Sequence, residues 1–154
     1  MDNIQIRNII LNQAGKDKQI IHGTRAYNMQ SPPSLARETK DYDILTKRPE
    51  ESANKLADRL NKLKYKDVSV SKGLHEGTYK VKIDKQTIAD YTELKKRPKT
   101  KDYWGVKIKS LGSIKGDAQR LVKDPATEFR RAKDLDTLDR IKKIKENNKG
   151  FQFK

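Results

Sequence analysis

Apolar positions along this chain recur with two periods, and each period predicts a different kind of element. Ile6, Ile9, Ile10 and Ala14 return at near-helical spacing after Asn3, and Gly15 follows where a helix commonly stops. Lys16-Asp17-Lys18 reads as a turn and Gln19 to Ile21 as a short strand. A brief helix opens after Gly23, and Ser31-Pro32-Pro33-Ser34 cuts it off, because proline lacks a donor and clashes with the preceding turn. A strand then runs through Asp41 to Leu45. Arg48-Pro49-Glu50-Glu51 starts a longer helix, with proline at the first helical position and acids in the first turn. Ala53, Leu56, Ala57, Leu60 and Leu63 recur on one face of it, and Lys62 and Lys64 close it at the favourable end of the helix dipole.

The period then changes to two. Val68 to Val70, Thr78 to Ile83 and Thr87 to Thr92 alternate as strands do, with Gly73 and Gly77 in the first connection and Asp84-Lys85 as a tight hairpin turn. Tyr103 to Lys109 predicts one further strand, with Val106 and Ile108 on one face and Trp104 joining them. A helical pattern resumes at Ser110-Leu111 through Ile114, Ala118, Leu121 and Val122; Gly112 and Gly116 weaken it by about 1 kcal/mol each relative to alanine. Asp124-Pro125 is a cap-plus-proline start for the last helix, whose apolar stripe reads Phe129, Ala132, Leu135, Leu138, Ile141 and Ile144. The order predicts an α+β fold: a small mixed β-sheet covered by helices over 1–109, C-terminal helices over 110–146 packed on that core as part of the same domain, and a flexible tail over 147–154.

Composition narrows this. With 154 residues, 33% hydrophobic and 37% charged, the chain supports one modest core rather than two. It has no cysteine, so disulfides and thiolate zinc sites are excluded, and His22 and His75 alone cannot build a histidine-rich metal site. No apolar run reaches membrane-span length, and Met1-Asp2-Asn3 lacks a leader pattern. The expectation is a soluble cytoplasmic protein (in the host cytoplasm if the chain is viral) with no membrane partner. The formal charge of +15 favours polyanion partners and salt-sensitive binding, although lysine-rich composition alone also produces such a charge.

The candidate chemistry centres on His22-Gly23-Thr24-Arg25-Ala26 and on Thr39-Lys40-Asp41-Tyr42-Asp43. Residues two apart on a strand share a face, so Asp41 and Asp43 point the same way. Two like charges held that close repel unless a cation sits between them, and a hard divalent ion with oxygen ligands answers that need. The Gly-Thr turn upstream offers backbone N–H groups and a hydroxyl to phosphates. Each feature alone also fits a solvated edge strand or an ordinary strand-to-helix turn; their pairing is what points to chemistry.

Gly23-Thr24-x-Ala26 followed by Asp41-x-Asp43 resembles the signature of the DNA polymerase β-like nucleotidyltransferase superfamily. Arg37-x-Thr39-x-Asp41-x-Asp43 is similar to its compact viral, phage and toxin–antitoxin members, with Thr24 where the family more often has serine or glycine. The resemblance implies a nucleotidyltransferase palm in which Asp41, Asp43 and a third carboxylate bind Mg²⁺ or Mn²⁺. A nucleoside triphosphate is the substrate, and its nucleotide passes to an acceptor hydroxyl with pyrophosphate leaving. Two residues compete for the third carboxylate: Asp84 sits in a turn that favours aspartate for local reasons, whereas Asp90 ends the run Thr87-Ile88-Ala89. Asp90 is preferred.

Gly23 and Thr24 are expected to seat the triphosphate, with Arg25, Arg37 and Lys40 either on phosphate oxygens or solvating their loop. Phe129 to Leu138 resembles a helix of compact nucleotidyltransferases, so Arg130, Arg131 and Lys133 face either the nucleotide or nucleic-acid backbone, or only i,i+4 partners such as Asp136–Arg140. Tyr103 and Trp104 either stack on a base or pack in the core. Charge alone suggests RNA or DNA as acceptor, and a protein partner could supply its recognition. The alternatives are a non-catalytic basic nucleic-acid-binding protein with the same fold, or a toxin–antitoxin-type enzyme modifying RNA or protein.

Overall fold

The computed structural model describes residues 3–152, with side chains to residue 147; Met1, Asp2 and the last two positions of the expected tail lie outside the described residues. Helix α1 (Ile4–Lys16) is capped by Asn3, whose side chain accepts from the Ile6 N–H at 3.1 Å. Gly15 does not end it. The helix runs one residue further, to Lys16, and closes where Lys18 takes a left-handed backbone (φ 56°) and the Gln19 N–H donates to the Ala14 carbonyl at 2.8 Å. Gly15 instead admits the Gly105 carbonyl oxygen, 3.1 Å from where a Cβ would stand.

Strand β1 (Ile20–His22) leads directly into α2 (Gly23–Met29), and a 3₁₀ turn (Pro33–Leu35) precedes β2 (Tyr42–Thr46). Helix α3 (Pro49–Lys62) buries Ala53, Leu56, Ala57 and Leu60, as its periodicity requires. Each leucine so buried contributes about 1.5–3 kcal/mol. Strands β3 (Val68–Lys72), β4 (Thr78–Ile83) and β5 (Gln86–Glu93) form a meander. Asp84 (φ 49°) and Lys85 (φ 67°) supply the two left-handed residues of the β4–β5 turn.

Two expectations are corrected downstream. Tyr103 to Lys109 is not one strand but a hairpin of β6 (Thr100–Tyr103) and β7 (Val106–Lys109), with Trp104 (φ 51°) and Gly105 (φ 86°) as its turn. Trp104 is 91% exposed, while Val106 and Ile108 are buried. After α4 (Leu111–Lys123), the last helix does not begin at Pro125: a 3₁₀ stretch (Pro125–Arg130) with non-helical Thr127 intervenes, and α5 (Arg131–Gln152) follows. Ile141 and Ile144 are buried as expected, with Asp134 and Thr137 on the same face two turns and one turn earlier. A spacing of three drifts around a helix of 3.6 residues per turn, however, so Ala132 and Leu135 face outward, and Phe129, in the 3₁₀ stretch, is exposed. Helix α5 continues through Gln152, across positions expected to be a tail.

The seven strands stand in the order β3-β4-β5-β2-β1-β7-β6. β1 runs antiparallel to β2 and parallel to β7, and β2 runs parallel to β5. This is the mixed-sheet α+β architecture that the pattern predicts. Ile10, Ala14, Leu56 and Leu60 from α1 and α3 pack on Ile44, Val81, Tyr91 and Ile108 in the main core; Tyr27 of α2 packs with Ile141 and Ile144 of α5 in a smaller one. Among the described residues, no helix is long and apolar enough to cross a membrane.

Candidate active site

Tyr42, Ile44 and Thr46 turn into the core, so alternation points Asp43 and Leu45 to the other face of β2. The strand registers then fix the neighbours of Asp43: His22 on one side, Asp90 on the other, and Lys80 beyond Asp90. Asp41 precedes Asp43 by two residues on the same face. Carboxylate oxygens of Asp41, Asp43 and Asp90 lie within 4.8 Å of one another. Asp84, in the β4–β5 turn, is not among them.

The cluster is electrostatically costly as it stands. Burial, followed by the charges of Asp41 and Asp90, pushes the Asp43 carboxyl up to about 7, against opposing fields from Lys133 and Lys80. The Lys80 ammonium reaches Asp90 Oδ2 at 3.2 Å, but Asp90 Oδ1 is buried without a hydrogen-bond partner. Gly23 holds a left-handed backbone (φ 65°) directly against this group. A Cβ there would fall within the van der Waals envelope of Asp43 Oδ2 and 3.0 Å from its Cγ, so only glycine lets β1 turn into α2 at this point. His22 is half-buried with its Nε2 enclosed and unpartnered, and desolvation together with Lys109 lowers its pKa to about 4, with Asp117 opposing.

Beside the carboxylates, a cleft of about 210 Å³ opens between α2, α4 and α5, lined among others by Gly23, Thr24, Arg37, Lys109, Arg130 and Lys133. Three of its cations are already engaged. Lys109 pairs with Asp117, Arg130 forks onto the buried Asp134 (3.1 Å), and Arg37 pairs with Asp136 while donating to the Lys133 carbonyl at 3.1 Å. Hydrogen bonds from Arg37 and Arg140 hold Asp136 below its usual range. Arg37 therefore fastens α5 to the loop that carries Asp41.

Not every candidate converges here. Arg25 lies over the Tyr42 ring (4.2 Å) and donates to the Asp41 and Thr39 carbonyls at 3.1 and 3.3 Å, shaping the loop from the opposite face. Lys40 is exposed and lines a separate recess with Arg25. Arg131 reaches Glu128 at 3.9 Å and does not line the cleft. Tyr103 packs against the main core, Trp104 is remote from the site at a hairpin tip, and His75 is exposed. Lys80 and Lys109 escaped the reading of the sequence: alternation puts Lys80 on the face opposite Tyr79 and Val81, but only register shows that Asp90 is its neighbour.

The sequence matches the model of the family described as poly(A) polymerase catalytic subunit over residues 8–109, well over half of the chain. No curated protein matches it. Several solved structures share its fold, among them a viral and a bacterial protein. The Megavirus polyadenylate synthase superposes with a TM-score of 0.80 at 22% identity, over 91% of this chain and 31% of that one. JHP933 from Helicobacter pylori superposes with a TM-score of 0.57 at 15% identity, over 88% of this chain and 62% of that one. This chain thus spans about a third of the length of the Megavirus protein, and at such identities the likeness shows the fold alone.

Proposed function

Because this chain belongs to the poly(A) polymerase catalytic subunit family, and with it to the polymerase β-like nucleotidyltransferases, we propose that it transfers adenylate from ATP to the 3′-hydroxyl of an RNA, releasing pyrophosphate. One observation carries the reading: Asp43 and Asp90 stand side by side on parallel strands, Asp41 joins them, and the Gly23 turn presses against the group.

The donor set fits Mg²⁺ or Mn²⁺, since all three side chains offer hard oxygens, their charges repel, and Asp90 Oδ1 has no other partner. Bound there, a divalent ion would neutralise the carboxylates and the phosphates and acidify the attacking hydroxyl. The missing side chain of Gly23 lets the β1–α2 turn close directly onto Asp43. Thr24 and the cleft cations Lys133, Lys109 and Arg130 hold the β- and γ-phosphates. Asp90 orients the acceptor hydroxyl, whose oxygen attacks the α-phosphorus. The bond to the bridging oxygen breaks, pyrophosphate leaves with that electron pair, and the hydroxyl proton passes by way of Asp90 to solvent. Arg37 acts as a positioning residue through α5. The charge of +15 supports a polyanionic acceptor, and a protein partner that helps select it belongs to the same proposal.

The test is extension of a labelled oligoribonucleotide with Mg²⁺ and each nucleoside triphosphate in turn. ATP should give a ladder, and Asp41→Asn or Asp90→Asn should slow it by about 100-fold or more. Normal extension by either variant, or none by the native chain with any of the four nucleotides, would remove the assignment. Calorimetric titration of Mg²⁺ with ATP then separates an inactive binding protein from an enzyme lacking its acceptor.

A further inference from the structure

The hairpin tip places the chain's single tryptophan where a sheet protein has little structural use for it. Trp104 is 91% exposed and sits at φ 51°, the first left-handed position of a two-residue turn that asparagine or glycine would occupy without strain. An indole held outward in a sterically costly conformation, burying almost nothing, points to a ligand. The approach to it is strongly basic. Lys95, Lys96, Arg97, Lys99 and Lys101 are all exposed, and none has an ion-pair partner among the described residues. The only acid between 94 and 106, Asp102, is taken up by Lys107 at 3.1 Å.

Geometry connects this patch to the carboxylates without making it part of them. β6 is the edge strand, running from Thr100, paired with Lys109, to Tyr103 at the turn. Its start is tied to α4 by the Ser110 N–H donating to the Lys99 carbonyl at 3.0 Å, and Lys109 lines the cleft. Trp104 therefore stands one four-residue strand length, about 13 Å, from the cleft end of the hairpin.

We propose that the β6 edge and the Trp104 tip form a platform for single-stranded RNA, with a base stacked on the indole and the backbone phosphates along Lys99, Lys101 and the 95–97 run. Exposed aromatics interleaved with unpaired cations are what sequence-tolerant single-strand binding needs: a π-face for any base and charge for the chain between bases. The platform would hold the body of the acceptor while its 3′ end reaches the carboxylates. The choice of RNA as occupant rests on the proposed function; the surface itself does not.

Trp104 reports its own occupancy, being the only tryptophan. Titrating a 12-nucleotide oligouridylate into the full chain, in EDTA and without ATP, should quench its emission saturably. Heparin, which offers charge without bases, should leave the emission unchanged. The salt dependence should fall by about 0.7 in logarithmic slope for each phosphate contact removed, so by about 1.4 for the Lys99→Gln, Lys101→Gln double variant. By anisotropy of labelled RNA, Trp104→Asn should bind between about fivefold and a hundredfold more weakly, while melting no lower than the native chain because asparagine suits the turn. Transfer to a dinucleotide acceptor should be unaltered in that variant, which separates loss of the platform from loss of the enzyme. RNA binding without quenching, equal quenching by heparin, or undiminished binding by Trp104→Asn would overturn the proposal. A deoxyoligonucleotide binding as tightly as RNA would overturn the assignment to RNA.

Discussion

Asp43 should destabilise the metal-free protein, and the size of that effect follows from its surroundings. Its carboxyl ionises near 3.8 in an unfolded chain and at about 7 in the folded one, because it is buried beside Asp41 and Asp90. A folded-state value raised above the unfolded one means that ionisation opposes folding. The cost is absent well below pH 4, grows as pH rises, and is complete above pH 7. At about 1.4 kcal/mol per unit, the full shift corresponds to on the order of 4 kcal/mol; relaxation and partial exposure leave on the order of 2–4. Asp43→Asn keeps the shape and removes the charge. In EDTA at pH 8 it should therefore melt roughly 5–15 °C higher than the native chain, taking about 2–4 °C per kcal/mol for a domain of this size. At pH 4.5 only about a quarter of that gap should remain, since the native carboxyl is then protonated. Thermal melts followed by circular dichroism across this range decide the matter. A gap that does not change with pH, or a variant less stable at pH 8, would refute the electrostatic account of the cluster.

Other expectations follow from the same geometry. Mg²⁺ should raise the melting temperature of the native chain but not of Asp43→Asn, and its apparent affinity should weaken as pH falls below about 7, where a proton competes for Asp43, as calorimetry would register. Gly23→Ala places a methyl group against Asp43 in a left-handed backbone; it should cost on the order of 2 kcal/mol by denaturant titration and abolish nucleotidyl transfer. Arg37→Ala removes the tie to Asp136 and the Lys133 carbonyl, so it should lower stability by about 1–2 kcal/mol and raise KM for ATP more than it lowers kcat.

The parts of this fold that were legible in the sequence are those set by local chemistry. Pro49 with two following acids, and the two-residue spacing of Asp41 and Asp43, constrain the backbone within a few bonds, and the structure has α3 and the shared carboxylate face where they predict. Asp90 could be preferred to Asp84 because a turn explains the latter and nothing local explains the former. What escaped depends on distant partners. Trp104 reads as a core residue until Gly105 is seen to close a two-residue turn. The stripe from Phe129 to Leu135 fails because Phe129 lies before α5 in a 3₁₀ stretch and a spacing of three carries Ala132 and Leu135 around the helix away from Ile141 and Ile144. Lys80 is anonymous until strand pairing puts it beside Asp90, and Arg25 looks like a phosphate ligand until the Tyr42 ring claims it.

The placement of β5 between β4 and β2 has a consequence for biosynthesis. Asp41 and Asp43 leave the ribosome well before Asp90, and the parallel partner that completes the group arrives only after α3 and a full hairpin have been made. Such long-range pairing is slow to form, so a nascent chain lacking that strand is a folding intermediate without the three-carboxylate cluster. The carboxylate group would be complete only once β5 has been made and has paired with β2, more than halfway through the 154 residues.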